Sequence, residues 1–119
     1  TPEFKEVSII GSGDVNLTGI AQDNVSLKIS GSGDITADGS VQQLTAVVNG
    51  SGDLMLSKLR ADYATIMING SGDAEIWVKQ SLTAEINGSG NIEYYGNPPS
   101  VQSEVHGSGD IIKIIMDQF

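Results

Sequence analysis

Apolar and polar residues alternate with a period of two along much of the chain, and the alternation restarts after every copy of one short motif. Counting from the Asp or Asn that closes each motif, the next residue is Val15, Ile35, Leu54, Ala74, Ile92 or Ile111, and the one after it is Asn16, Thr36, Met55, Glu75, Glu93 or Ile112. A half-buried strand sends successive side chains to opposite faces, so the first set is predicted inward and the second outward. Five residues before the closing position stand Ile9, Ile29, Val48, Ile68, Ile86 and Val105; seven before it stand Val7, Leu27, Ala46, Ile66, Ala84 and Ser103. These columns are predicted to stack as aliphatic ladders along the inside of the molecule.

The motif is Gly-Ser-Gly-Asp, with Asn in place of Asp once, at Asn91. Its glycine pairs are Gly11 and Gly13, Gly31 and Gly33, Gly50 and Gly52, Gly70 and Gly72, Gly88 and Gly90, and Gly107 and Gly109, so the steps between copies are 20, 19, 20, 18 and 19 residues. Such a linker composition repeated in register reads as a bend, and a step this short, with β-branched and turn-forming residues between, fits one coil of a β-helix rather than a pair of helices. Glycine suits the corner because it permits positive φ and close approach between neighbouring coils. The prediction is an all-β, right-handed parallel β-helix of about six coils, the hand following from the usual hand of parallel crossovers. Two strands per coil are expected, without the three equivalent faces of hexapeptide helices. A second, irregular corner is placed at residues 19–24, 38–43, 58–62, 79–81 and 96–100, where the coils differ in length.

Composition narrows the function. Residues 1–119 suit a single domain. A formal net charge of -9, from 15 acidic and 6 basic residues, disfavours a nucleic-acid partner. There is no cysteine for a disulfide or thiolate metal site. The apolar runs are too short to span a bilayer.

Units of the form (I/V)-x-GSGD-(I/L/V), recurring about one coil apart and ending in the GSGDI-x-K segment from Gly107 to Lys113, resemble the bacterial auto-transporter adhesin "head GIN" domain family. That resemblance, from about Val7 to Lys113, implies a right-handed parallel β-helix exported to the cell envelope (periplasm or outer membrane) or secreted. It further implies that family members are longer, with an export signal and more coils ahead of those seen here, so that residues 1–119 correspond to the C-terminal part of a family domain.

Several residue sets are candidate sites. Asp14, Asp34, Asp53, Asp73 and Asp110 form one column of carboxylates, which suggests calcium, while the routine alternative is that each accepts backbone N–H hydrogen bonds at its corner. Asn49, Asn69 and Asn87 are expected to form an amide ladder that His106 continues. Catalysis at His106 is not expected, and the stacked Glu75 and Glu93 are the minimal equipment for a carbohydrate-active enzyme, a reading ranked last. The outward column Thr18, Asp38, Ser57, Trp77, Tyr95 and Ile114 turns apolar halfway along, so Trp77, Tyr95 and Ile114 are expected to make an exposed stripe flanked by Met55 and Ile112. The segment Ile111 to Phe119 loses its alternation, which suggests a homo-oligomer assembled through the C-terminal coil or a tail covering the stripe. The favoured reading is a non-catalytic adhesive or structural module whose partner is a surface protein or glycan, without cofactor unless calcium stabilises the corners.

Overall fold

The computed structural model describes residues 4–96 and 98–114. Eight strands follow one another: β1 (Phe4–Gly11), β2 (Val15–Gly31), β3 (Ile35–Gly50), β4 (Leu54–Gly70), β5 (Ala74–Gly88), β6 (Ile92–Tyr95), β7 (Ser100–Gly107) and β8 (Ile111–Lys113). All pair in parallel, in the order β1-β2-β3-β4-β5-β6-β8, with β7 also on β5. The chain is a parallel β-helix of about six coils, as the spacing predicts.

Register follows the motif. Gly11, Gly31, Gly50, Gly70, Gly88 and Gly107 are successive partners, so every coil lays its corner on the one before. The two glycines of a corner do different jobs. Gly70 has φ +138°, a conformation that side chains rarely adopt, and a Cβ on it would collide with the carbonyl oxygen of Gly50. Gly72 needs no such φ, yet a Cβ there would strike the Gly52 carbonyl and approach Val48 Cγ1 to 3.0 Å. At Gly13, on the first coil, nothing lies within 4 Å of the same position.

The aliphatic ladders are present. Leu27, Ala46 and Ile66 stack in one, Ile29, Val48, Ile68 and Ile86 in another, and Ile35, Leu54, Ala74 and Ile92 in a third, all fully or nearly fully buried. Each Leu or Ile so enclosed contributes about 1.5–3 kcal/mol from apolar burial. Among the described residues no polar or charged side chain is buried. The ladders fade at the ends, where a neighbouring coil covers one side only. Val7 and Val15 are half-buried, and Ser103 and Val105, placed inside by the pattern, are exposed along with the rest of β7.

Two strands per coil describe the molecule incompletely. In β4 the alternation breaks at Ser57–Lys58 and again at Asp62–Tyr63, leaving three buried sets: Leu54 and Leu56, Leu59 and Ala61, then Ala64, Ile66 and Ile68. The irregular second corner therefore holds a short side of its own in this coil. The pairing of β4 with β5 shifts register at those breaks, Leu56 facing Ile76 and Arg60 facing Trp77, so Ser57, Lys58 and Leu59 have no counterpart in β5. The 18-residue coil is short because it omits these three residues, while Ala61 still pairs with a buried Val78, and a step results on the surface.

Candidate functional site

At the constant corner the carboxylates are already engaged. Oδ1 of Asp14 accepts a hydrogen bond from the backbone N–H of Asp34, and the same contact recurs from Asp34 to Asp53, Asp53 to Asp73, Asp73 to Asn91 and Asn91 to Asp110, at 3.0–3.1 Å. Each side chain thus ties its own coil to the next, through an oxygen that an amide supplies equally well at Asn91. The Asn ladder also forms: Asn69 Nδ2 donates to Asn49 Oδ1 and Asn87 Nδ2 to Asn69 Oδ1, both at 2.8 Å.

The opposite side holds the step, and there Trp77 and Tyr95 meet as register partners on β5 and β6. Below Trp77 in the stack lies Arg60, rather than the Ser57 of the sequence column, with its guanidinium carbon 5.2 Å from the indole centroid. On the next coil Gly96 adopts φ +95°, and a Cβ there would come within 3.2 Å of the Trp77 ring. Held between arginine and backbone, Trp77 is half-buried rather than exposed, and so are Tyr95 and Ile114. Ile114 continues the stack, its N–H donating to Tyr94 O at 2.9 Å. Residues 115–119, including the Phe119 expected to fold over this stripe, lie outside the described residues.

Ser57, Lys58, Arg60, Trp77 and Tyr95 together line an open groove of about 460 Å³. Two of the chain's 6 basic residues converge on it. Its neighbour along the same face is acidic: Met55, Glu75 and Glu93 are consecutive in register and share a shallow depression with Asp53, Asp73 and Asn91. Partial burial raises the Glu75 carboxyl above its ordinary value, helped by the charge of Glu93, a hydrogen bond to it, and the more distant Asp53 and Asp73. The Tyr95 hydroxyl is raised as well, first by burial and then by Glu75 and Glu93. Met55 and Ile112, expected to extend the aromatic stripe, instead flank this acidic column at 40% and 39% exposure.

One grouping escaped the sequence reading, which assigned His106 to the Asn ladder. In the fold Glu85 pairs with Glu104 and Asn87 with His106, so β5 and β7 place all four on one outward face. His106 Nε2 lies 3.4 Å from Glu104 Oε1, Asn87 Nδ2 donates to Glu85 Oε2 at 3.1 Å, and ligand atoms of Glu85, Glu104 and His106 all lie within 4.8 Å of one another. The signal was present as two stacked columns one coil apart, but reading it required exact register.

The family model described as "Putative auto-transporter adhesin, head GIN domain" matches residues 3–98. Among solved structures, a "putative lipid binding protein" from Parabacteroides distasonis ATCC 8503 superposes with TM-score 0.90 at 35% identity, over 93% of this chain and 45% of that one. A "putative adhesin" from Bacteroides fragilis NCTC 9343 superposes with TM-score 0.89 at 24% identity, over 93% of this chain and 52% of that one, a likeness of fold. The chain thus spans about half the length of each. No curated protein matches it.

Proposed function

The chain belongs to the "Putative auto-transporter adhesin, head GIN domain" family, and from that premise we propose that it is a non-catalytic binding module of the cell surface or envelope whose contact site is the groove at the coil step. One observation carries this reading: the chain's single Trp, its one arginine and Tyr95 meet in register where the coil shortens. Aromatic faces and edges suit a sugar ring, while Arg60, Lys58 and Ser57 supply donors for its hydroxyls. A groove of about 460 Å³ suits one or two rings, so the ligand class favoured here is a glycan. The interior is filled by aliphatic ladders, so contact with any ligand belongs on the outside.

The test is a screen of glycans, surface proteins and lipid vesicles against the whole chain, followed by titration of the strongest glycan with Trp77→Ala and Tyr95→Ala. Loss of glycan binding in Tyr95→Ala with the fold intact supports the groove. Binding of proteins or vesicles alone, or glycan binding indifferent to both substitutions, overturns it.

A contact between copies through the C-terminal coil is a second element of the proposal. Val101 and Val105, on the face that is buried in earlier coils, remain 38% and 39% exposed, and Ile112 lies beyond them at 39%. Light scattering decides this point: a dimer or larger species that Val105→Asp converts to monomer supports it, and a monomeric wild type refutes it.

A further inference from the structure

We propose that Glu85, Glu104 and His106 form a binding site for a divalent transition ion, with zinc the natural occupant, which clamps the last coil onto the one before it. The site is independent of the groove: it lies on the face that runs into the constant corner, while the groove lies on the strands beyond that corner. Its donors are a nitrogen and two carboxylates, the mixed set that zinc accepts and that calcium, which takes oxygen, does not favour. Tetrahedral zinc with ligands at about 2.1 Å separates neighbouring donor atoms by roughly 3.4 Å. His106 Nε2 and Glu104 Oε1 are 3.4 Å apart. The third donor, on Glu85, lies within 4.8 Å of both, a gap that side-chain rotation closes because Glu104 and His106 are exposed and Glu85 is partly exposed.

The columns show how this donor set arises. At the Glu85 and Glu104 position the earlier coils carry Ser8, Lys28, Val47 and Met67; at the His106 position they carry Ile10, Ser30, Asn49, Asn69 and Asn87. Ligating side chains therefore concentrate at the final two coils. There the in-register Glu85–Glu104 pair sets like charges directly opposite, an arrangement that destabilises a sheet unless a cation offsets it. Asn87 contributes orientation by donating to Glu85 Oε2, leaving the other carboxylate oxygen for the ion. The consequence is mechanical: β7 is exposed along its whole length, and an ion bridging β5 to β7 fastens the strand that the core holds least.

Zinc chloride titrated into the intact, tag-free chain by calorimetry, with the melting temperature followed in parallel, tests the proposal. One ion per chain and a rise in melting temperature are expected, with affinity falling about tenfold or more in His106→Ala and in Glu85→Gln. Cobalt substituted for zinc should show visible absorption that His106→Ala abolishes. Calcium should leave the site unoccupied. Absence of zinc binding at millimolar concentration, or binding that survives both substitutions, overturns the proposal. These outward-facing positions lie outside the aliphatic core, and circular dichroism of each variant separates loss of the site from loss of the fold.

Discussion

The two sides of the coil differ in how they tolerate change. On the Gly-Ser-Gly side six corners superpose in register, glycine backbones touch, and a chain of carboxylate and amide oxygens binds each coil to the next. On the far side coils gain and lose residues, register shifts, and one coil lacks counterparts for Ser57, Lys58 and Leu59. Uniformity at one corner fixes the stack, and that leaves the other free to vary. The step between β4 and β5 is the product of that freedom, and the Arg60, Trp77 and Tyr95 groove sits on it.

A methyl group added to a corner tests its glycine contacts directly. Gly72→Ala drives a Cβ into the Gly52 carbonyl and is expected to cost at least about 3 kcal/mol, lowering the melting temperature by more than about 10 °C. Gly13→Ala, the same motif position with nothing within 4 Å, should cost less than about 1 kcal/mol. Equal effects would mean that the stacked contact is not what demands glycine. Next in size is the corner hydrogen bond. Asp53→Ala removes the acceptor for the Asp73 N–H and should cost about 1 kcal/mol in urea unfolding, whereas Asp53→Asn should restore most of it, as Asn91 does naturally. A chelator should leave the melting temperature of the wild type unchanged with respect to calcium; a fall reversed by calcium would show that the Asp column holds that ion as well as its hydrogen bonds.

The smallest expected effect lies on the acidic face. The Glu75 pKa is raised in the folded protein above its ordinary carboxylate value, so the folded state holds more protons than the unfolded one between those two values. Stability from this group is therefore greatest below the unfolded value and is lost as pH rises through the folded one. Glu75→Gln should flatten that part of the pH profile and slightly stabilise the protein at neutral pH, measured by unfolding at pH 4 and 7.

Most of the stack was legible in the sequence because its determinants repeat. Six glycine pairs and three aliphatic columns each state the same geometry, and the alternation of Leu54, Leu56, Ile66 and Ile68 assigns their faces directly. The groove was legible only in part. The column that singled out Trp77 and Tyr95 assumed equal coils and so placed Ser57 beneath Trp77; the register shift puts Arg60 there, and only the pairing of β4 with β5 reveals it. Partial burial of Trp77 was hidden for the same reason, since its covers, Arg60 and Gly96, come from neighbouring coils. The grouping of His106 with Glu85 and Glu104 was not read from the sequence because Glu85 lies one coil earlier.

The most direct measurement compares the affinity of the strongest glycan found by screening for wild type, Tyr95→Ala and Thr36→Ala, the last an exposed polar position outside the groove. A loss of about tenfold or more is expected for Tyr95→Ala, consistent with one aromatic anchor, and none for Thr36→Ala. Unchanged affinity in Tyr95→Ala, or an equal loss in both variants, would contradict the assignment of binding to the step.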